Sequence, residues 1–215
     1  MERIKLTEEN FSDAVKKAST ALKQGYAIVF PTDTLYGLGV DALREDAVER
    51  LFYLKKRPAN KPVPIFVKDI EMAKELAFID ARQEEILKKL WPGPFTAVLF
   101  KKNKISLRLT ANTQKVGLRI PNSDFCRALI REFGGPFTGS SANVSGMESM
   151  GDIDEIFKQF KEHSTAPDLV IDAGDILSSE PSTILDITQK EPLILRVNQT
   201  TLRKMSEIFD KKLGS

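Results

Sequence analysis

Histidine, cysteine and tryptophan each occur only once in these 215 residues. A single cysteine excludes an internal disulfide and points to a reducing compartment. The histidine, His163, lies in the polar stretch "FKEHST", and Cys126 lies on an apolar helix stripe with Leu129 and Ile130. Neither placement supports a Ser–His or Cys–His nucleophile pair, and a buried core thiol is the expectation for Cys126. No cluster has the spacing of zinc ligands, so no protein-bound metal is expected. No apolar run approaches the ~20 residues of a membrane span, and the start "MERIKLTEEN" has no apolar leader core. A cytoplasmic protein without membrane association is expected. An excess of charge is also missing. Lys and Arg number 32 against 30 Asp and Glu, so a basic site, if present, must be local.

What is present is a regular alternation of apolar patterns. Phe11, Ala14, Val15, Ala18 and Leu22 recur at helical spacing, with Thr7 as the expected cap and Gly25 as the stop. The apolar run "AIVF" follows as a strand. Helices are predicted around Ala47–Phe52, in two short pieces between Ile70 and Leu90, and around Phe125–Phe133, Ile153–Phe160 and Leu202–Phe209. Strands are predicted at "VPIFV", "FTAVLF", "VGLRI", "LVIDA", "STILDI" and "LILRV". This alternation implies a sheet covered by helices. No linker or repeat divides the chain, so one α/β domain over residues 1–215 is expected.

Chemistry-bearing residues gather at the ends of these elements. "FPTDTLYGLGVDA" leaves a strand through Pro31 into hydroxyls, Asp33 and Gly37 and Gly39, but completes neither a GxGxxG nor a Walker pattern. Lys55, Lys56, Arg57 and Lys61 crowd "LKKRPANKP", where Pro58 and Pro62 stiffen the loop. Arg119 and Arg196 each follow an apolar run. An arginine there buries its stem and seeks an anion. With the hydroxyl-rich "TGSSANVSG" and "EPSTILD", these cations fit a polyphosphate pocket.

Seven segments in order, "FPTDTLYGLGVDA", "LKKRPANKPVPIFV", "WPGPFTAVL", "VGLRIPN", "SSANVSG", "PSTILD" and "ILR", resemble the YrdC-like threonylcarbamoyl-AMP synthases. The length resembles that of the short, TsaC-like form, which lacks the C-terminal domain of longer relatives. The resemblance implies a twisted, open, mostly mixed sheet flanked by helices, with a basic concave cleft. It implies condensation of L-threonine, bicarbonate (or CO2) and ATP into threonylcarbamoyl-adenylate with release of pyrophosphate. A partner transferase complex would then modify the adenosine beside the anticodon of tRNAs reading ANN codons, with weak tRNA contact by this chain left open. By the same resemblance, Thr32, Tyr36, Arg119 and Ser182 would contact threonine. Lys55, Arg57, Ser141, Asn143, Ser149 and Arg196 would contact ATP, with Lys55 and Arg57 as the catalytic cations. Mg2+ would be carried by the ATP phosphates, with Asp33 either an outer ligand or a turn residue.

Three departures stand out. Phe66 replaces a histidine of many relatives, "LRVNQ" replaces "LRPG", and "RIPNSD" replaces "RxPxHP". Two rival functions remain open on sequence grounds: an RNA-binding module without catalysis, and another carbamoyl or acyl adenylating enzyme. The first is disfavoured by the near-neutral charge and the lack of an RNP-like motif. In the segment Asp172–Asp186, the loop that runs up to Ser182 and Thr183 is expected to form a mobile lid.

Overall fold

The computed structural model describes residues 2–148, 151–176 and 180–209. The expected α/β architecture is present, with its strands divided between two mixed sheets. In the first sheet, β1 (Glu2–Lys5) pairs in parallel with β9 (Leu169–Asp172), and β9 pairs in parallel with β2 (Ile28–Phe30). β2 then turns back antiparallel as β3 (Gly37–Gly39), which pairs with β8 (Ser140–Ser141). In the second sheet the spatial order is β11 (Leu193–Arg196), β10 (Thr183–Asp186), β5 (Phe95–Phe100), β6 (Lys115–Arg119), β4 (Ile65–Phe66) and β7 (Phe137–Thr138).

The two sheets are joined at their centre. Thr138 donates its backbone N–H to Val40 at 2.9 Å, and its hydroxyl accepts from the Val40 N–H at 3.0 Å. Phe30 of the first sheet packs edge-on against Phe66 and Phe137 of the second, with ring centroids 6.2 and 5.4 Å apart. The hairpin accommodates this. A Cβ at Gly37 would sit 2.7 Å from Phe30 Cζ, so the glycine clears space for a ring rather than cradling phosphate.

Helices cover the sheets as their apolar stripes dictate. α1 (Phe11–Lys23) packs on α5 (Asp124–Phe133) through Ala14, Ala18, Leu22, Phe125, Cys126 and Leu129. Cys126 is buried there, as expected. α2 (Glu45–Lys55), α3 (Ile70–Leu76), α4 (Ala81–Leu90), α6 (Ile153–Glu162) and α7 (Leu202–Phe209) lie where the periodicity places them. One core cluster runs from Val29 and Leu38 of the first sheet to Ile65, Ala97 and Leu118 of the second. The Thr7 cap is corrected. Asn10 is the N-cap of α1, and Thr7 instead exchanges hydrogen bonds with Asn10 in the turn before it. Among the described residues no helix is long and apolar enough to cross a membrane.

Candidate active site

Where the two sheets meet, a pocket of about 170 Å³ opens above the Phe30–Phe66–Phe137 cluster. Its lining includes Thr32 and Tyr36 from the β2–β3 loop, Arg57, Arg119, Ser141, Ser182 and Arg196. Seven of the ten residues assigned to the site from sequence therefore converge from segments far apart in the chain. Among the described residues that line it, three are arginines and none is a carboxylate. The charge is felt within the pocket. Burial, then the neighbouring charge of Arg196, pushes the Arg57 guanidinium below its usual range, and burial with Arg119 does the same to Arg196. Mutual repulsion of this kind is relieved by a bound polyanion.

Each lining residue is held by the fold. Arg57 donates to the carbonyls of Lys61 and Pro62 at 3.1 and 2.7 Å, fastening the stiff loop that follows α2. Arg196 donates to the Ser182 carbonyl at 2.8 Å and to its hydroxyl at 3.2 Å. Ser182 is steadied from the other side by Thr96, 2.9 Å away. Thr32 organises its own loop: its hydroxyl accepts from the N–H groups of Thr34 and Leu35 and donates to the Leu35 carbonyl at 2.6 Å. The Tyr36 hydroxyl donates to Gly174 and accepts from Ala173, and burial pushes its pKa up to about 12.

Arg119 is the most constrained of the cations. It is 4 % exposed, and it donates to the Gly93 carbonyl at 3.0 Å, to Thr34 at 3.3 Å and to Asp33 at 2.6 Å. Three of its five N–H donors are thereby committed, leaving two for a ligand. Asp33 is thus the counter-ion of Arg119, and its second carboxylate oxygen is buried without a partner. Phe66 lies beneath, with the guanidinium carbon 5.5 Å from its ring centroid. The ring also presses on Gly139, where a Cβ would stand 2.1 Å from Phe66 Cε1.

Lys55 and Asn143 do not line the pocket. Lys55 is 1 % exposed, and its ammonium lies behind the Ser141–Asn143 segment. Ser149 lies outside the described residues, as does part of the expected lid. Sequence reasoning left out Thr34, Pro62, Pro64, Gly139 and Ser140 from the lining. Thr34 and Ser140 were available within "PTDT" and "TGSSAN". Nothing in "FTAVLF" marks Thr96 as the brace of Ser182. Among the described residues no three His, Cys, Asp or Glu side chains converge as a metal cage.

A mixed α/β fold that brings three arginines and a set of hydroxyls around one pocket has the charge to suit an anionic ligand. The family model Sua5_yciO_yrdC, described as "Telomere recombination", matches residues 20–198. The chain belongs to that family. It is 32% identical over 196 residues to the threonylcarbamoyl-AMP synthase of Pyrococcus abyssi, covering 91% of this chain and 57% of that protein. It therefore spans little more than half the length of that relative. Over 201 residues it is 33% identical to a putative threonylcarbamoyl-AMP synthase of Methanocaldococcus jannaschii, covering 94% of this chain and 93% of that protein. The structure of P. abyssi Sua5 complexed with L-threonine superposes with a TM-score of 0.85 at 31% identity, covering 96% of this chain and 59% of that one.

Proposed function

We propose that this chain is a threonylcarbamoyl-AMP synthase. The observation that carries the reading is the arginine-lined pocket at the junction of the sheets, with no carboxylate among its described lining residues. Family membership and the threonine complex of the P. abyssi relative support the choice of substrate.

In this reading the threonine amine takes up CO2 or bicarbonate to form a carbamate. A carbamate oxygen attacks the α-phosphorus of ATP, and the bond to the β-phosphate oxygen breaks as pyrophosphate leaves. The nucleophile is already anionic, so the protein needs no Ser or Cys nucleophile. Its task is positioning and charge stabilisation. Arg57 and Arg196, 2.7–2.8 Å from the backbone carbonyls that fix them, present preorganised positive charge to the phosphates, with Ser141 as a hydroxyl donor. The two uncommitted N–H groups of Arg119 face the threonine carboxylate, and Thr32, Tyr36 and Ser182 close the threonine end. Mg2+ would be carried by the ATP phosphates and would supply charge neutralisation there, as is usual where few protein ligands are offered. Asp33 is occupied with Arg119 and serves the guanidinium. A separate transferase complex receives the adenylate in the cytoplasm and passes the threonylcarbamoyl group to tRNA.

The test is label transfer. With [13C]bicarbonate, L-threonine and ATP, the adenylate product should carry one 13C, detected by mass spectrometry. An unlabelled adenylate, or one formed equally from other amino acids, would assign the pocket to a different adenylation. No nucleotide turnover at all would leave a binding module.

A further inference from the structure

Lys55 ends α2 with its side chain turned inward. Its ammonium donates to the Ser141 carbonyl at 2.5 Å, the Asn143 carbonyl at 2.7 Å and Asn143 Oδ1 at 3.2 Å. An ammonium has three N–H donors, and here all three are taken by protein oxygens. None is left for a phosphate. The backbone joins in: the Lys55 carbonyl accepts from the Ser145 N–H at 2.8 Å. Ser141 donates its hydroxyl to the same Asn143 oxygen at 2.6 Å, and Asn143 Nδ2 donates to Met147 at 2.7 Å. One residue therefore grips the 141–145 segment at four points. Two positions further on, Arg57 emerges into the pocket, and Ser140 and Ser141 form part of its lining.

We propose that Lys55 is a positioning residue: it sets the Ser140–Ser141 side of the pocket, and with it the distance to Arg57, without touching the nucleotide. The inference rests on the functional reading above for its ligand. A buried charge satisfied by three oxygens costs heavily when its partner geometry is altered, so both the length and the shape of the side chain matter. Burial, with the charge of Arg57 adding to it, pulls the ammonium pKa well below its usual value. The three acceptors oppose that pull, since a neutral amine offers only two donors.

The experiment compares wild type, Lys55→Met and Lys55→Arg. Binding of a non-hydrolysable ATP analogue is titrated at several salt concentrations, and amide exchange is followed across residues 141–147. In Lys55→Met, analogue affinity should fall about ten- to a hundredfold, the usual consequence of leaving buried polar atoms unpaired. Its salt dependence should remain that of wild type, because no phosphate contact is lost. Exchange across 141–147 should rise, and Lys55→Arg should restore neither affinity nor protection, since a planar fork does not fit three oxygens arranged for an ammonium. Recovery of affinity in Lys55→Arg, or a flattened salt dependence with unchanged exchange in Lys55→Met, would place Lys55 on the phosphates and overturn the proposal. If Lys55→Met does not fold, Lys55→Arg decides by the same measurements. If wild type does not bind the analogue, the functional reading fails, while the exchange comparison still decides whether Lys55 holds the segment.

Discussion

Tyr36 and Gly174, 138 positions apart, share a hydrogen bond of 2.6 Å in which the phenol donates to the glycine carbonyl. The Tyr36 phenol oxygen in turn accepts from the Ala173 N–H at 2.9 Å. A pocket-lining side chain thereby ties down the start of the segment that follows β9 and leads towards Ser182. Tyr36→Phe removes both bonds and leaves two backbone groups without their partner. Amide exchange across 172–176 should accelerate, and threonine affinity should fall about five- to thirtyfold, the range for one or two unpaired buried groups. Unchanged exchange and unchanged calorimetric affinity would show that the bond organises nothing.

Tyr36 and Cys126 also fix how stability responds to alkali. Burial pushes each group to about 12, Tyr36 from 10.0 and Cys126 from 9.0. Both are neutral below those values, so a raised folded pKa contributes stability that is fully present below pH 9 and lost as pH rises towards 12. Urea midpoints should hold level from pH 7 to 9 and then fall, with Cys126→Ala beginning its fall about one pH unit later. A midpoint that is flat through pH 11 would contradict the burial of both groups.

The Arg119–Asp33 pair separates charge from geometry. Arg119→Lys keeps the charge but cannot reach Gly93, Thr34 and Asp33 together. It should bind threonine poorly and lose about 3 kcal/mol of stability, the scale for disturbing a buried ion pair. Arg119→Met with Asp33→Asn, which removes both charges, should be more stable than Arg119→Met alone. Equal urea midpoints for these two variants would mean that Asp33 is not held by Arg119.

Phe66 and Gly139 make a steric prediction. Gly139→Ala places a methyl against the Phe66 ring within 2.1 Å, so the ring must move and carry its contact with Arg119 along. Threonine affinity should drop about tenfold or more, and Phe66→Leu should recover part of it by opening space. No effect of Gly139→Ala would show that the ring is free to shift.

Much of the fold was legible because it depends on period. The stripe Phe11–Leu22 and the run "FTAVLF" describe α1 and β5 almost to the residue. The strands "GLG", "FT" and "SS" were not legible, because two or three residues of glycine and hydroxyl carry no alternation and gain their ladder bonds only from distant neighbours. "ERIK" is an edge strand with charged side chains, a pattern that composition cannot tell from a loop. The division into two sheets follows from Phe30, Phe66 and Phe137 meeting, which no local pattern announces. At the site, the cations and hydroxyls were visible as residue types at element ends. Their division of labour was not. Arg57 and Lys55 sit two positions apart in one motif, yet one faces the pocket and the other faces backbone oxygens.

Arg57→Ala isolates the pocket cation of that motif. Loss of one preorganised charge should slow adenylation about 100- to 1000-fold while the circular dichroism spectrum stays that of wild type. A folded variant with near-normal turnover would remove Arg57 from the phosphates.

The most direct measurement of the central claim is pyrophosphate release. The purified chain should release pyrophosphate from ATP only when L-threonine and bicarbonate are both present, and omission of either should return the rate to background. Release that continues without threonine, or no release with all three substrates, would contradict the assignment.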